Sequence, residues 1–262
     1  MHPRRILVTG SAGAVGRTVS KALVERGHHV RGFDLRAGPH GHEHHVGSVT
    51  DAAAISAAMA GCDTVVHLAA TPDIADFTTL LVPNNIVGTY HVLEAAKEAK
   101  VRRVVMASSI RATTGVRKDG TITIADGAHA SDLYGVTKVA GEAMAEVYAA
   151  RHGLSIICVR LGWFVRDPRE AGMMNKSLAE KPAGWAHPIY LSHDDCARFH
   201  LAAVENEAVG FAILFAISDN GGTRRYDLEP SERILGWVPR DSWPNGTPAE
   251  VIAPARAPAQ SG

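Results

Sequence analysis

Thr9-Gly10-Ser11-Ala12-Gly13-Ala14-Val15-Gly16 decides the fold. It follows an apolar run of strand length, Arg5 to Thr9. It opens a segment, Val15 to Arg26, whose apolar residues Val15, Val19, Ala22 and Leu23 recur at helical spacing until Gly27 stops it. Glycines at this spacing between a strand and a helix have a physical reading. Gly10 permits a tight turn, Gly13 lets the backbone approach a pyrophosphate, and Gly16 allows the helix to pack closely on the strand. The helix N-terminus, with Ala14 and Val15 in its first turn, then offers free N–H groups and a positive dipole end to phosphate.

Working outward, the second strand runs from His29 to Asp34. Asp34 stands roughly 20 residues past the loop, where a carboxylate accepts both ribose hydroxyls of NAD and repels a 2′-phosphate. NAD is favoured, while Arg36, two residues on, keeps NADP open because a guanidinium pairs well with phosphate. Leu35 joins the same set. By fold position, Gly47 to Asp51, with Ser48 and Val49, sits beside the adenine. His67 to Ala70, with Leu68, Ala69 and Ala70, lines the floor, and Leu161 ends a later strand at the same edge.

The rest of the chain continues the alternation. A third strand ends near Val46, Asp51 caps a helix that runs to Ala60 with Gly61 as its stop, and Thr64 to Leu68 is a fourth strand. Phe77 to Lys100 holds a long helix after Pro83. Arg103 to Ser108 is the fifth strand, Asp132 to His152 a second long helix, and Leu154 to Leu161 the sixth strand. This order predicts an α/β fold, a Rossmann-type doubly wound parallel sheet with helices on both faces. Strands such as Val104-Val105-Met106 lack clean alternation, as expected when both faces are covered. Residues 1–162 form the predicted core, and 163–244 a small substrate-binding portion packed on it. Within that portion, 163–190 reads as loops and short helices, Asp194 to Glu205 as a helix and Phe211 to Ile217 as a strand. Residues 245–262, in a region rich in Pro, Ala and Gly, read as a disordered tail.

Composition narrows the function classes. The 262 residues carry 27 Lys plus Arg against 27 Asp plus Glu, so no overall excess of positive charge argues for nucleic acid or an anionic membrane as partner. No apolar run approaches the roughly 18 to 20 residues that span a bilayer, and the N-terminus lacks the pattern of a secretory signal. Cys62, Cys158 and Cys196 are odd in number, far apart and in apolar surroundings, which reads as reduced, buried thiols. A cytoplasmic enzyme is the expectation.

The chemistry points to Tyr134-Gly135-Val136-Thr137-Lys138. Tyr134 and Lys138 are four apart on a helix and project from one face. A free tyrosine titrates near 10, and a neighbouring ammonium favours the phenolate, so the spacing predicts a lowered pKa and a base able to take a hydroxyl proton as hydride leaves. Ser108 and Ser109 end the fifth strand, where this architecture binds ligands, and either offers the hydroxyl that positions a substrate oxygen.

The glycine loop, the serines and the Tyr–Lys pair, in this order, resemble the short-chain dehydrogenase/reductase superfamily over nearly the whole chain. The loop, Asn84-Asn85-Ile86-Val87-Gly88-Thr89, Ser192-His193-Asp194-Asp195 and Leu235-Gly236-Trp237-Val238-Pro239 resemble its extended, epimerase/dehydratase branch. The resemblance implies Ser109, Tyr134 and Lys138 as the catalytic set, with Tyr134 and Lys138 also touching the cofactor. It implies that Asn85 supports the site through the backbone, and that the two long helices pair across a dimer axis, giving a homodimer or a higher assembly. Over Val104 to Gly115, Leu133 to Gly162 and Leu191 to Asp195 the chain is most similar to uronate dehydrogenases, which oxidise the anomeric carbon of a free hexuronate to a lactone with NAD. Thr71, Ser109, Ile110, Arg111, Tyr134, Trp163 and Arg166 are then the substrate-binding candidates. The chain departs from that family where Ile110 and Arg111 replace Asn and His after the serine, and where Pro72 replaces Ser. Arg166 and Arg169 are the candidates for its carboxylate-binding arginine, so hydride chemistry follows and uronate specificity does not. Arg111 is either a bidentate carboxylate partner or a solvated loop residue.

Other features carry less. His40, His42, Glu43, His44 and His45 crowd one stretch whose mixed spacing suits a solvated loop better than a metal site. Trp163 and Phe164 either wall the nicotinamide pocket or pack in the core, and Trp185, Trp237 and Trp243 read as packing residues. The competing functions are a nucleotide-sugar epimerase or dehydratase, for which the roughly hundred residues after Gly162 look too few, and a non-catalytic dinucleotide sensor, in which Tyr134 and Lys138 would have no task.

Overall fold

The computed structural model describes residues 2–73, 75–116, 119–180, 187–219 and 225–252. Seven parallel strands form the central sheet: β1 (Arg5–Thr9), β2 (His29–Asp34), β3 (Glu43–Val46), β4 (Thr64–His67), β5 (Arg103–Ser109), β6 (Ile156–Leu161) and β9 (Phe211–Ala216). Their order is β3-β2-β1-β4-β5-β6-β9. The order reverses between β1 and β4, so the chain leaves the sheet in opposite directions there and opens a crevice at the strands' carboxyl ends. Two short strands, β7 (Trp163–Phe164) and β8 (Tyr190–Leu191), pair separately.

The alternation of side chains along β1 explains the unbroken apolar run. Ile6 and Val8 enter one core cluster with Val19, Leu23 and Phe199. Leu7 enters the other with Val65, Ile55 and Leu93. All three β1 residues are fully buried, so neither face of the strand has room for a polar position. The helices are α1 (Ala14–Glu25), α2 (Ala52–Met59), α3 (Gly88–Glu98), α4 (Leu133–His152), α5 (Pro168–Glu180), α6 (His193–Glu205), α7 (Glu229–Leu235) and α8 (Ala249–Ile252). Asp51 caps α2 by accepting from Ala54 N–H, and Asp132 caps α4 by accepting from Gly135 N–H. Gly27 and Gly153 follow α1 and α4 at φ +92° and +66°, where a side chain would be strained.

Four sequence expectations change. The helix expected after Pro83 begins upstream of it: Asp76 caps Phe77–Val87, which winds with wide π-type turns before α3. Residues 163–190, expected as loops and short helices, contain the 13-residue α5, whose Ala171 and Met174 are buried with Val165 and Tyr190. The tail expected to be disordered from 245 holds α8, because Val251 completes that same cluster; 253–262 lie outside the described residues. The histidine-rich stretch is not all loop: His44 and His45 lie on β3, and His42 stacks on His29 with ring centroids 4.6 Å apart. Trp237 is buried in the core and Trp243 packs edge-on to Tyr190, while Trp185 lies outside the described residues. The three cysteines are buried and unbridged. Among the described residues no helix is long and apolar enough to cross a membrane.

The Ser192-Asp195 stretch proves to be a fastening. Asp195, fully buried at the start of α6, accepts from Ser218 Oγ (2.7 Å), Arg240 N–H (3.0 Å) and Asp241 N–H (3.1 Å), and pairs with Arg198. One carboxylate thereby ties the segment after α7 to the core.

Candidate active site

The glycine loop is closed by contacts that leave no room for side chains. Gly10 turns at φ +74°, and a Cβ there would lie 2.7 Å from Ala69 N. A Cβ on Gly16 would lie 2.0 Å from Gly10 O, and one on Gly13 3.2 Å from the same oxygen. Gly13 caps α1 with no side-chain hydrogen bond, so the first-turn N–H groups stay open for an anion. Asp34 accepts from Ala12 N–H (3.0 Å) and Leu35 N–H (2.7 Å), which fixes its carboxylate at the mouth of a cleft of about 300 Å³.

Nine predicted cofactor positions line this cleft: Gly10, Gly13, Asp34, Leu35, Ser48, Val49, Leu68, Ala69 and Ala70. Ala12, Phe33 and Asn84 line it too and were not read as cofactor contacts: Ala12 and Phe33 carry no polar side-chain group, and Asn84 reaches the cleft from the wide helix. Arg36 and Thr71, expected as an NADP alternative and a substrate contact, also face it. Leu35 is 74% exposed, an apolar side chain left at the entrance. Ala14, Val15 and Leu161 pack partly buried against the core, and Gly16 is buried in α1. The cradle, the open helix end and the anchored carboxylate fit a dinucleotide.

Ser108 and Ser109 part company. Ser108 Oγ donates to buried Glu142 (2.6 Å), which also takes two 2.8 Å bonds from Arg160, so Ser108 belongs to a closed ionic knot. Ser109 Oγ, which accepts from Arg111 N–H (3.2 Å), lies close enough to Tyr134 to favour its phenolate. Lys138 Nζ donates to Ala107 O (3.1 Å) and lies 5.6 Å from the centre of the Tyr134 ring. The structure therefore brings Ser109, Tyr134 and Lys138 together at the carboxyl end of β5. It also corrects the expected pKa. Burial pushes Tyr134 up to about 12, the Asp73 carboxylate adds to this, and Ser109, Arg111 and Arg166 only partly oppose it. Burial pushes Lys138 down to about 8 against the pull of Glu142. Desolvation outweighs the attraction between the two groups.

Asn85, buried on the wide helix, holds the loop after β4 to α4. Its Oδ1 accepts from Thr71 N–H (2.7 Å), and its Nδ2 donates to Thr71 O (3.0 Å) and Thr137 Oγ (3.1 Å). Thr137 in turn donates to Tyr134 O (2.7 Å). Below, His67 bridges Thr9 (2.7 Å) and Thr89 (3.1 Å), and burial holds it neutral, down at about 3.

The remaining substrate candidates divide. Ile110, expected as a substrate contact, is buried in the core directly after Ser109. Arg111 stays partly solvent-exposed and is already paired: its Nε reaches Asp132 at 2.8 Å, the carboxylate that caps α4. Arg166 bridges Glu170 (Nε, 2.8 Å) and Asp73 (Nη2, 2.7 Å). Trp163, on β7, packs partly buried beside Val165 and Tyr190, and Arg169 is exposed on α5.

With this geometry in place, comparison is informative. A model of the NAD dependent epimerase/dehydratase family matches residues 6–170. L-arabinose 1-dehydrogenase (NAD(P)(+)) of Haloferax volcanii is 32% identical over 250 residues, covering 91% of this chain and 97% of that protein. Uronate dehydrogenase of Pseudomonas putida is 30% identical over 258 residues, covering 97% of this chain and 90% of that protein. Uronate dehydrogenase from Agrobacterium tumefaciens, solved as a mutant complexed with NAD, superposes with a TM-score of 0.77 at 28% identity, covering 92% of this chain and 86% of that one.

Proposed function

The chain belongs to the NAD dependent epimerase/dehydratase family, and from that premise we propose that it is an NAD-dependent dehydrogenase that oxidises the anomeric carbon of a free sugar or sugar acid to its lactone. The observation that carries this reading is the convergence of Ser109, Tyr134 and Lys138 beside the dinucleotide cleft. The names of the two relatives, which both denote oxidation of free sugars or sugar acids, support it.

When bound, NAD supplies the acceptor for a hydride. The open N-terminus of α1 and the glycine loop would hold its phosphates, and Asp34 its adenine ribose. Ser109 Oγ and Tyr134 Oη hold the oxygen of the 1-hydroxyl. With the C1–H electron pair leaving as hydride, the O–H proton would pass to Tyr134 in its phenolate form, and the C1–O bond would become the lactone carbonyl. The Lys138 ammonium, 5.6 Å from the Tyr134 ring centre, favours the phenolate and would hold the nicotinamide ribose. Thr71, Arg111, Trp163 and Arg166 complete the substrate side.

The working form is a cytoplasmic homodimer. Buried free thiols agree with a reducing compartment. Leu80, Val87 and Tyr90 on the wide helix and α3, and Leu133, Val136 and Val147 on the adjacent α4, are exposed apolar side chains suited to a partner copy. Light scattering in solution tests the assembly.

NADH production from NAD and a panel of free uronates, aldoses and small alcohols tests the activity. At least one free sugar is expected to turn over, and Tyr134→Phe to lower kcat by about 10²-fold or more. Conversion of a nucleotide-sugar with no net NADH, or NAD binding with no turnover, refutes the reading.

A further inference from the structure

Arg166 is the described cation nearest in character to what a substrate carboxylate needs: a half-buried guanidinium near Tyr134. It is already engaged. Glu170, almost fully buried, takes Arg166 N–H (2.9 Å) and Nε–H (2.8 Å), and Asp73 takes Nη2–H (2.7 Å). The other guanidinium near Tyr134, Arg111, is engaged by Asp132. Among the described residues of this constellation, three carboxylates face two guanidiniums.

Asp73 is unusual in its backbone as well. It holds φ +61°, a left-handed conformation that a residue other than glycine adopts at some cost. The loop that carries it starts at Thr71, whose N–H and C=O are both clamped by Asn85. The clamp and the Arg166 bond together set where this carboxylate stands.

We propose that Asp73, held against Arg166 beside the reacting centre, makes the site select a neutral aldose over the corresponding uronate. The inference rests on the dehydrogenase reading above and narrows its substrate class. An incoming uronate carboxylate meets a like charge at Asp73 and reaches Arg166 only by displacing the bond already there, exchanging one ion pair for another while the repulsion remains. A neutral sugar meets Asp73 as an acceptor for a hydroxyl.

The test is the ratio of kcat/KM for matched pairs, glucuronate against glucose and galacturonate against galactose, in the wild type and in Asp73→Asn. Asparagine keeps the shape and tolerates the left-handed backbone, so the loop is retained. The wild type is expected to favour the neutral sugar of each pair. Asp73→Asn is expected to raise the uronate-to-aldose ratio by about threefold, the scale of one solvent-exposed charge, because the Asp73 side chain is 66% exposed, and raising the salt is expected to narrow the wild-type preference. A wild type that favours the uronate, or a ratio that Asp73→Asn leaves in place while the neutral sugar still turns over, overturns the assignment to Asp73. No NADH from either sugar of any pair, or from any other free sugar, instead sinks the dehydrogenase reading and this inference with it.

Discussion

Removing Arg160 is expected to do more damage than removing Arg160 and Glu142 together. The two side chains are 2% and 4% exposed and share two 2.8 Å hydrogen bonds. In Arg160→Met the Glu142 carboxylate keeps only the 2.6 Å bond from Ser108 Oγ. Leaving one buried ion without its partner costs about 3–5 kcal/mol. For a chain of this size each kcal/mol moves Tm by about 2–4 °C, so melting is expected to fall by roughly 6–20 °C. In Arg160→Met/Glu142→Leu no ion is left unpaired. The Arg160 Nη1 that has no hydrogen-bond partner is gone as well, and the loss reduces mainly to the Ser108 bond. The double variant is therefore expected within about 2 kcal/mol of the wild type. Calorimetric melts of the three proteins at one pH decide the matter. A double variant that melts as low as the single one refutes the argument that desolvation dominates this pair. The double variant carries a functional consequence too: Glu142 supports the Lys138 charge, so its removal moves Lys138 below about 8 and slows turnover at neutral pH.

Three further outcomes follow from the geometry. Ser109→Ala is expected to lower kcat by about 10²-fold or more, whereas Ser108→Ala lowers melting and spares most of kcat; the reverse pattern in paired kinetic and melting runs would exchange their roles. Lys138→Met is expected to raise Tm at pH 7 while abolishing turnover. Its folded pKa, about 8 against 10.5, means that the fold carries the full cost of the buried charge below pH 8 and sheds it as pH rises towards 10.5, so the gain should shrink across that window. Tyr134, up at about 12 from 10, works in the opposite sense and costs stability between pH 10 and 12; melts from pH 6 to 10 thus isolate the lysine. Gly16→Ala is expected to weaken NAD by roughly tenfold or more, since its Cβ would stand 2.0 Å from Gly10 O, and Gly13→Ala, at 3.2 Å, less; titration calorimetry showing equal affinities would mean that the loop yields.

The readings that succeeded were local. The glycine loop, the Asp51 cap and the Gly27 stop each depend on residues within a turn of one another. What failed depends on partners distant in sequence. Nothing near Ile110 announces that it turns into the core, and nothing near Arg111 announces its bond to Asp132, 21 residues away. Helix α8 looks like tail composition because its reason to exist is one side chain, Val251, entering a cluster built by Val165, Ala171, Met174 and Tyr190. The choice between Ser108 and Ser109 likewise required Glu142 and Arg160, which come from α4 and β6.

Tyr134 and Lys138 show where magnitude overrides pattern. Spacing places an ammonium beside a phenol, and the pair alone argues for a phenolate near neutral pH. The site that makes the pair useful is also the site that removes its water. Burial then penalises both charged forms, driving the phenol up to about 12 and the amine down to about 8. At neutral pH this leaves a neutral phenol beside Ser109, next to an ammonium bound to Ala107 O. Such a pair is set to donate a proton, the role it has when a lactone is reduced. To accept one, it needs more positive charge near the phenol or less negative charge at Asp73. The same Asp73 that disfavours an acidic substrate therefore also restrains the base, and Asp73→Asn relaxes both at once.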